Sequence, residues 1–157
     1  MPVLPPGYSI RRLQARDFED VVETLKVLTV VGDVTRTQFE ETLAYWKSVT
    51  LKVGAHSVPT YNPHVVVNAG GRVVATGTVL IERKIIRNCG LVGHVEDIAV
   101  AKDQQGKQLG LLLIQYLTDL AHETGCYKVI LDCDEKNVGF YEKCGYRRCG
   151  VEMDHRL

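Results

Sequence analysis

HVEDIAVAKDQQGKQLGLLLIQY, residues 94–116, places a strand, a glycine-bearing loop and a long apolar-faced helix end to end. Val95, Ile98, Ala99 and Val100 suit a buried strand. Glu96 and Asp97 interrupt it, and a buried carboxylate costs several kcal/mol unless it is paired or hydrogen-bonded. Two acids in such a strand therefore point to a task. Gln105-Gly106-Lys107-Gln108-Leu109-Gly110 follows, and Leu111 to Leu120 is apolar on nearly every turn. A loop with small residues at a helix start exposes backbone N–H groups, and the helix dipole adds partial positive charge there, which suits phosphate. Neither nucleotide fingerprint fits this loop. The phosphate-loop pattern needs Gly, four residues and then Gly-Lys-Ser/Thr; the dinucleotide pattern needs three spaced glycines, and this loop has two.

What remains resembles the acyl-CoA signature of the GNAT superfamily of N-acetyltransferases, Gln/Arg-x-x-Gly-x-Gly/Ala. Gln105 fills its first position and Gly110 its last, while Gln108 occupies the central glycine position. GCYKVILDCDEKNVGFYEKCGY, residues 125–146, is similar to the second half of that fold: a strand, an Asn-led short helix carrying Phe-Tyr, and a Gly-aromatic exit. With GHVEDIAV, ERKIIRNCG and the terminal GVEM, the chain resembles the branch of the superfamily that acetylates glucosamine 6-phosphate, from the TLKVLT helix onward.

The 157 residues suit one domain over 1–157, large enough to bury about two-thirds of its unfolded surface. Apolar residues make up 45% and charged residues 24%, an ordinary globular balance. Lys plus Arg equals Asp plus Glu at 19 each, so no global field favours nucleic acid or an anionic membrane. MPVLPPGY has the character of neither signal peptide nor anchor, and no apolar run approaches the roughly 18 residues of a membrane span. Cys89, Cys126, Cys133, Cys144 and Cys149 contain no C-x-x-C pair, so the expectation is reduced thiols, no metal and a cytoplasmic protein.

Along the chain, Tyr8 to Leu13 reads as a first strand. Phe18, Val21, Val22, Leu25 and Leu28 then carry a helical period as far as Gly32. A second helix begins at Thr37, with Thr37 and Glu40 at capping-box spacing and Phe39, Leu43 and Trp46 as its buried stripe. Lys52 to Pro63 reads as loop, His64 to Asn68 as a strand, Ala69 to Arg72 as a turn, and Val73 to Ile86 as a long strand with Gly77 a candidate bulge. After the opening stretch, whose helix runs from Gln108 to about His122 with Gly125 as its stop, Tyr127 to Cys133 reads as an interior strand. Asn137 to Cys144 is a short helix, and Arg147 to Met153 a last strand. This order suggests an α/β (α+β) fold with a mixed, largely antiparallel sheet and helices on both faces, as the GNAT resemblance also implies.

Acetyl transfer from a thioester to an amine needs a neutral amine, a held thioester, a donor to the developing oxyanion and a proton source for the leaving thiolate. No Ser-His-Asp order or activated cysteine stands out, so direct attack in a ternary complex is expected. The resemblance implies acetyl-CoA as co-substrate, its acyl arm in a gap beside a strand bulge near Glu96-Asp97-Ile98, with Asp97, Ile98 and Ala99 against the arm. It implies Gly106, Lys107, Gln108, Leu109, Gly110 and Leu111 around the pyrophosphate, and Asn137 and Tyr141 as further CoA contacts. Tyr141 would protonate or hydrogen-bond the thiolate, Asp132 would orient the amine, and Glu96 and Asp97 complete the catalytic set. For the sugar phosphate it implies Thr29, Lys84, Ile85, Ile86, Arg87, Tyr127, Lys128 and Arg156 beside Glu96, Asp97 and Asp132, in composite sites of a homodimer. His94 is read as a hydrogen-bonded strand histidine. The competing readings are a GNAT acting on a protein or peptide amine and a non-catalytic acyl-CoA-binding module.

Overall fold

The computed structural model describes residues 2–157. Strands β1 (Ser9–Arg12), β4 (Tyr61–Val67), β5 (Val73–Arg83), β6 (Leu91–Val100) and β7 (Cys126–Ile130) form one sheet in the order β1-β4-β5-β6-β7. Every neighbouring pair is antiparallel except β6 and β7, which are parallel because helix α4 (Leu109–Thr124) carries the chain back between them.

Strand alternation assigns the two faces. Val66, Ala75, Val79, Ile81 and Val95 pack with Leu109, Leu113, Leu117 and Ala121 of α4. Val65, Val67 and Val73 point the other way, onto Val21 of α1 (Phe18–Leu25) and the half-buried Phe39 of α2 (Arg36–Ser48). Helices thus cover both faces of a mostly antiparallel sheet, as expected.

α1 covers only part of its face. From Thr78 to Glu82 the residues of β5 alternate half-exposed and buried, so Thr78, Leu80 and Glu82 line an open stretch while Val79 and Ile81 stay in the core. Register places His94 opposite Leu80 and Glu96 opposite Thr78 on the same open face. Tyr61 opposes Leu80 from the other side and stacks on Trp46 of α2, ring centroids 5.5 Å apart and 12° from parallel.

Several boundaries differ from expectation. α1 ends at Leu25, seven residues before Gly32, and Leu28 lies exposed beyond it. α2 is capped two residues early: Thr35 accepts from the Gln38 N–H, and the Gln38 side chain accepts from the Thr35 N–H. Its Phe39, Leu43 and Trp46 stripe is only half-buried. The loop expected over 52–63 is instead mostly strand: β2 (Thr50–Val53) pairs with β3 (His56–Pro59) as a hairpin, and β4 begins at Tyr61 rather than His64. Gly54 (φ 60°) takes the first turn position, the glycine that a type II′ turn requires. β5 stops at Arg83 and leads into one helical turn, α3 (Ile86–Cys89), in which Arg87, Asn88 and Cys89 all have φ near 56° (55°, 57° and 56°). β7 is the sheet's edge rather than its interior, with Tyr127 and Lys128 exposed. Residues 147–153 form no strand, because no described strand pairs with them.

Candidate active site

The site is built on a defect. Thr76 pairs with Ala99 and Thr78 with Glu96, so two residues of β6, Asp97 and Ile98, answer the single Gly77 of β5. This is a bulge on β6, and Asp97 takes the left-handed conformation (φ 53°) to close it. The expected irregularity at Gly77 therefore lies across the ladder. Gly77 is its complement: a Cβ there would stand 2.4 Å from Ile98 Cδ1, which occupies the vacated space above β5.

The parallel β6–β7 ladder ends at His94 and Ile130. Two residues further lie two acids, Glu96 on β6 and Asp132 past the end of β7, where the two segments no longer pair. The charge of Asp132 reaches Glu96. Desolvation first, then Asp132, then Asp97 push the Glu96 carboxyl above the usual glutamate range. Asp132 raises the Glu152 carboxyl in turn, and the Arg156 charge opposes that rise. Glu152 is the residue that sequence reasoning missed: it lies inside the quoted GVEM, but nothing in its spacing announces Asp132. Among the described residues no three His, Cys, Asp or Glu side chains converge as a metal would require.

Tyr141 sits on α5 (Val138–Lys143), close enough to Asp132 for the charge of that carboxylate to reach its phenol. Burial, then neighbouring Cys133, Cys144, Asp132 and Tyr146, raise its phenol to about 12. The rings of Phe140 and Tyr146 lie 5.2 Å and 6.3 Å from that of Tyr141, and Tyr146 Oη lies 2.6 Å from Thr118 Oγ1, tying the segment after α5 to α4. Gly110 permits the same contact near the helix start, since a Cβ there would meet Val100 at 3.2 Å and Phe140 at 3.6 Å. Asn137 ends the turn before α5 and is exposed.

Gly106 and Gln108 both have positive φ, 81° and 61°, and α4 begins at once. Gln108 makes no side-chain cap, so the first-turn N–H groups of Leu109, Gly110 and Leu111 remain for another acceptor. The central glycine position of the motif does need a left-handed residue, so glutamine carries a backbone cost there.

On the open face Glu82 holds two partners, Lys84 Nζ at 2.7 Å and His94 Nε2 at 2.7 Å, so His94 is the hydrogen-bonded strand histidine expected. Arg87 and Lys128 lie over the ring of Tyr127 at 6.0 Å and 5.9 Å, which brings three expected substrate residues together. Ile85 and Ile86 are exposed beside them in sequence. Arg156 pairs with Asp154 at 2.7 Å, and Thr29 lies in the exposed loop after α1, its N–H on Leu25. Among the described residues, no hydrogen bond or ion pair joins either of these two to the Tyr127 group.

The sequence profile of the acetyltransferase (GNAT) family matches residues 12–146. The chain belongs to the GNAT acetyltransferase family. It is 51% identical over 152 residues to the glucosamine 6-phosphate N-acetyltransferase of Candida albicans, covering 96% of this chain and 97% of that one. It is 38% identical to the same-named enzyme of Arabidopsis thaliana, whose crystal structure matches with a TM-score of 0.85 over 96% of this chain and 98% of that one. An acetyltransferase of Trypanosoma brucei matches at 0.84 and 29% identity, covering 96% and 99%. GNAT enzymes transfer acetyl groups from acetyl-CoA.

Proposed function

We propose that this chain, as one domain, transfers acetyl from acetyl-CoA to the 2-amino group of glucosamine 6-phosphate. The observation that carries the reading is the acid cluster of Glu96, Asp97, Asp132 and Glu152 past the end of the β6–β7 ladder, with Tyr141 within reach of the Asp132 charge. An amine arrives as a cation, and grouped carboxylates attract it. A carboxyl raised by its neighbours is also a better proton acceptor than an ordinary glutamate.

In this reading backbone groups of Asp97, Ile98 and Ala99 hold the acyl arm and polarise its carbonyl, and the N–H groups of residues 106–111 take the pyrophosphate. Asp132 orients the amine and Glu96 takes its proton. The C–N bond then forms, the C–S bond breaks with its electron pair left on sulfur, and the second proton of the nitrogen passes to that sulfur, giving the amide and free CoA thiol. Burial and the neighbouring thiols and Asp132 hold the Tyr141 phenol above its ordinary value, so it keeps its proton at neutral pH and can donate a hydrogen bond. Tyr141 accordingly serves as a hydrogen-bond donor to the departing sulfur rather than as its proton source.

Arg87, Tyr127 and Lys128 receive the phosphate, with Lys84, Ile85, Ile86, Thr29 and Arg156 completing the pocket in a cytoplasmic homodimer. Support for the dimer comes from an unpaired edge at β7 and from exposed Ile85, Ile86, Tyr127, Val151 and Met153, apolar surface that a second copy would cover. The test is thiol release from acetyl-CoA with glucosamine 6-phosphate, free glucosamine or a lysine peptide. Turnover with the sugar phosphate alone supports the reading, and turnover with the peptide alone overturns it.

A further inference from the structure

Lys107 stands between two left-handed residues, Gly106 and Gln108, in the loop that opens α4. An exposed lysine is ordinarily a mobile point charge. This one is held: its Nζ donates to Gln104 Oε1 at 3.0 Å and to Tyr8 Oη at 3.2 Å. Tyr8 spends its own proton on Gln104 Oε1 at 2.7 Å, so its oxygen lone pairs are left for the lysine. The Gln104 amide is oriented from its other end, where Nε2 donates to Asp103 Oδ2 at 3.2 Å. Asp103 is fixed by both guanidinium nitrogens of Arg72, at 2.7 Å and 3.2 Å. A continuous line of bonds therefore runs from the β4–β5 turn through the loop to the N-terminal lead, and it ends on one ammonium.

The partners of that ammonium are what make it informative. Both are neutral oxygens, and among the described residues no carboxylate lies in ion-pair range of Lys107. Asp103, the adjacent acid, is already committed to Arg72. The geometry holds the charge in place without neutralising it, beside N–H groups that have no cap. A lysine that only stabilised the loop would gain more from a carboxylate than from two neutral acceptors.

We propose that Tyr8 and Gln104 are positioning residues that hold the Lys107 ammonium for the phosphate groups of CoA. The inference rests on acetyl-CoA being the co-substrate. Tyr8 is remote from the loop in sequence and belongs to no acetyltransferase signature quoted above.

The test is equilibrium binding of CoA by calorimetry, which needs no acceptor, together with KM for acetyl-CoA. Lys107→Met weakens CoA about tenfold, the loss of one charge-assisted bond. Tyr8→Phe keeps the ring but removes one acceptor, and weakens CoA about threefold while kcat holds. In a Lys107→Met background Tyr8→Phe adds nothing. Gln104→Glu neutralises the ammonium in place and weakens CoA about as much as Lys107→Met, which gives a second route if Tyr8→Phe is poorly folded. Dephospho-CoA separates the two phosphate sources: a Lys107→Met penalty that disappears assigns the 3′-phosphate, and one that persists assigns the pyrophosphate. Unchanged CoA affinity in Tyr8→Phe and Gln104→Glu, or an equal Tyr8→Phe loss with and without Lys107, overturns the proposal. Wild-type protein that binds CoA but acetylates no sugar phosphate would instead count against the assigned reaction and leave this inference standing.

Discussion

Replacing Gln108 with glycine should make the protein more stable and leave CoA binding intact or slightly tighter. Gln108 sits at φ 61°, ψ 13°, where its Cβ crowds the following carbonyl. For a residue with a side chain that conformation costs roughly 1–2 kcal/mol. Glycine removes the cost but loses about 0.5–1 kcal/mol more conformational entropy on folding. The difference is about 0.7 kcal/mol in favour of glycine. In a chain of this length each kcal/mol moves Tm by about 2–4 °C, so a rise of about 2 °C is expected. No cap bond is lost, since the Gln108 side chain makes none. Gln108→Ala is the control: it deletes the same side chain but keeps the Cβ, and should show no gain. Thermal unfolding followed by circular dichroism, with calorimetric CoA titration, reads both quantities. Equal shifts for alanine and glycine would refute the strain argument. A severalfold loss of CoA affinity in Gln108→Gly would show that the glutamine side chain is itself a ligand.

Gly77→Ala should destabilise by about 1–3 kcal/mol, because the new methyl meets Ile98 at 2.4 Å and Leu117 at 3.2 Å; urea unfolding measures it, and a change under 0.5 kcal/mol would mean the bulge yields freely. Tyr141→Phe should lower kcat about a hundredfold with little change in either KM, as the loss of one transition-state hydrogen bond does, and wild-type turnover across pH would remove Tyr141 from the mechanism. The carboxyl of Glu96 is raised in the folded state, so folding binds a proton there and stability falls as pH climbs from the ordinary glutamate range through the raised value. Glu96→Gln should therefore be the more stable protein at neutral pH, lose that advantage below the ordinary glutamate range, and turn over slowly; an advantage that stays constant with pH would contradict the assignment. Asp132→Asn and Arg156→Ala, each inactive alone, should regain activity when mixed and refolded if the two residues serve one site across a dimer. No recovery with heterodimers confirmed by mass would rule that sharing out.

The parts of the fold that were legible in the sequence are those whose residues conflict with burial. Glu96 and Asp97, two acids in an apolar strand, marked a stretch with a task, and the GNAT resemblance implied a bulge there. Gly106 and Gly110 located the loop for the matching reason of backbone approach. The hairpin at 50–59 stayed hidden because its strands are polar and short, leaving Gly54 as the sole signal. The edge position of β7 is set by strand order, and its run of apolar residues reads the same at an edge as in an interior. Glu152 reaches Asp132 only through the path of residues 147–152, which no periodicity describes. The left-handed turn at Arg87 to Cys89 contains no glycine among its three residues, so composition gives no warning of it.

The most direct measurement is the identity of the product. Acetyl-CoA labelled with ¹³C in its carbonyl is incubated with glucosamine 6-phosphate and the wild-type protein, and the mixture is followed by NMR. The account predicts enzyme-dependent loss of the thioester carbonyl and growth of a single amide carbonyl coupled through nitrogen to the sugar H2, with Asp132→Asn protein slowing both together. Thioester loss with the label on water, on a hydroxyl or on the protein, and none on the 2-amino group, would contradict it.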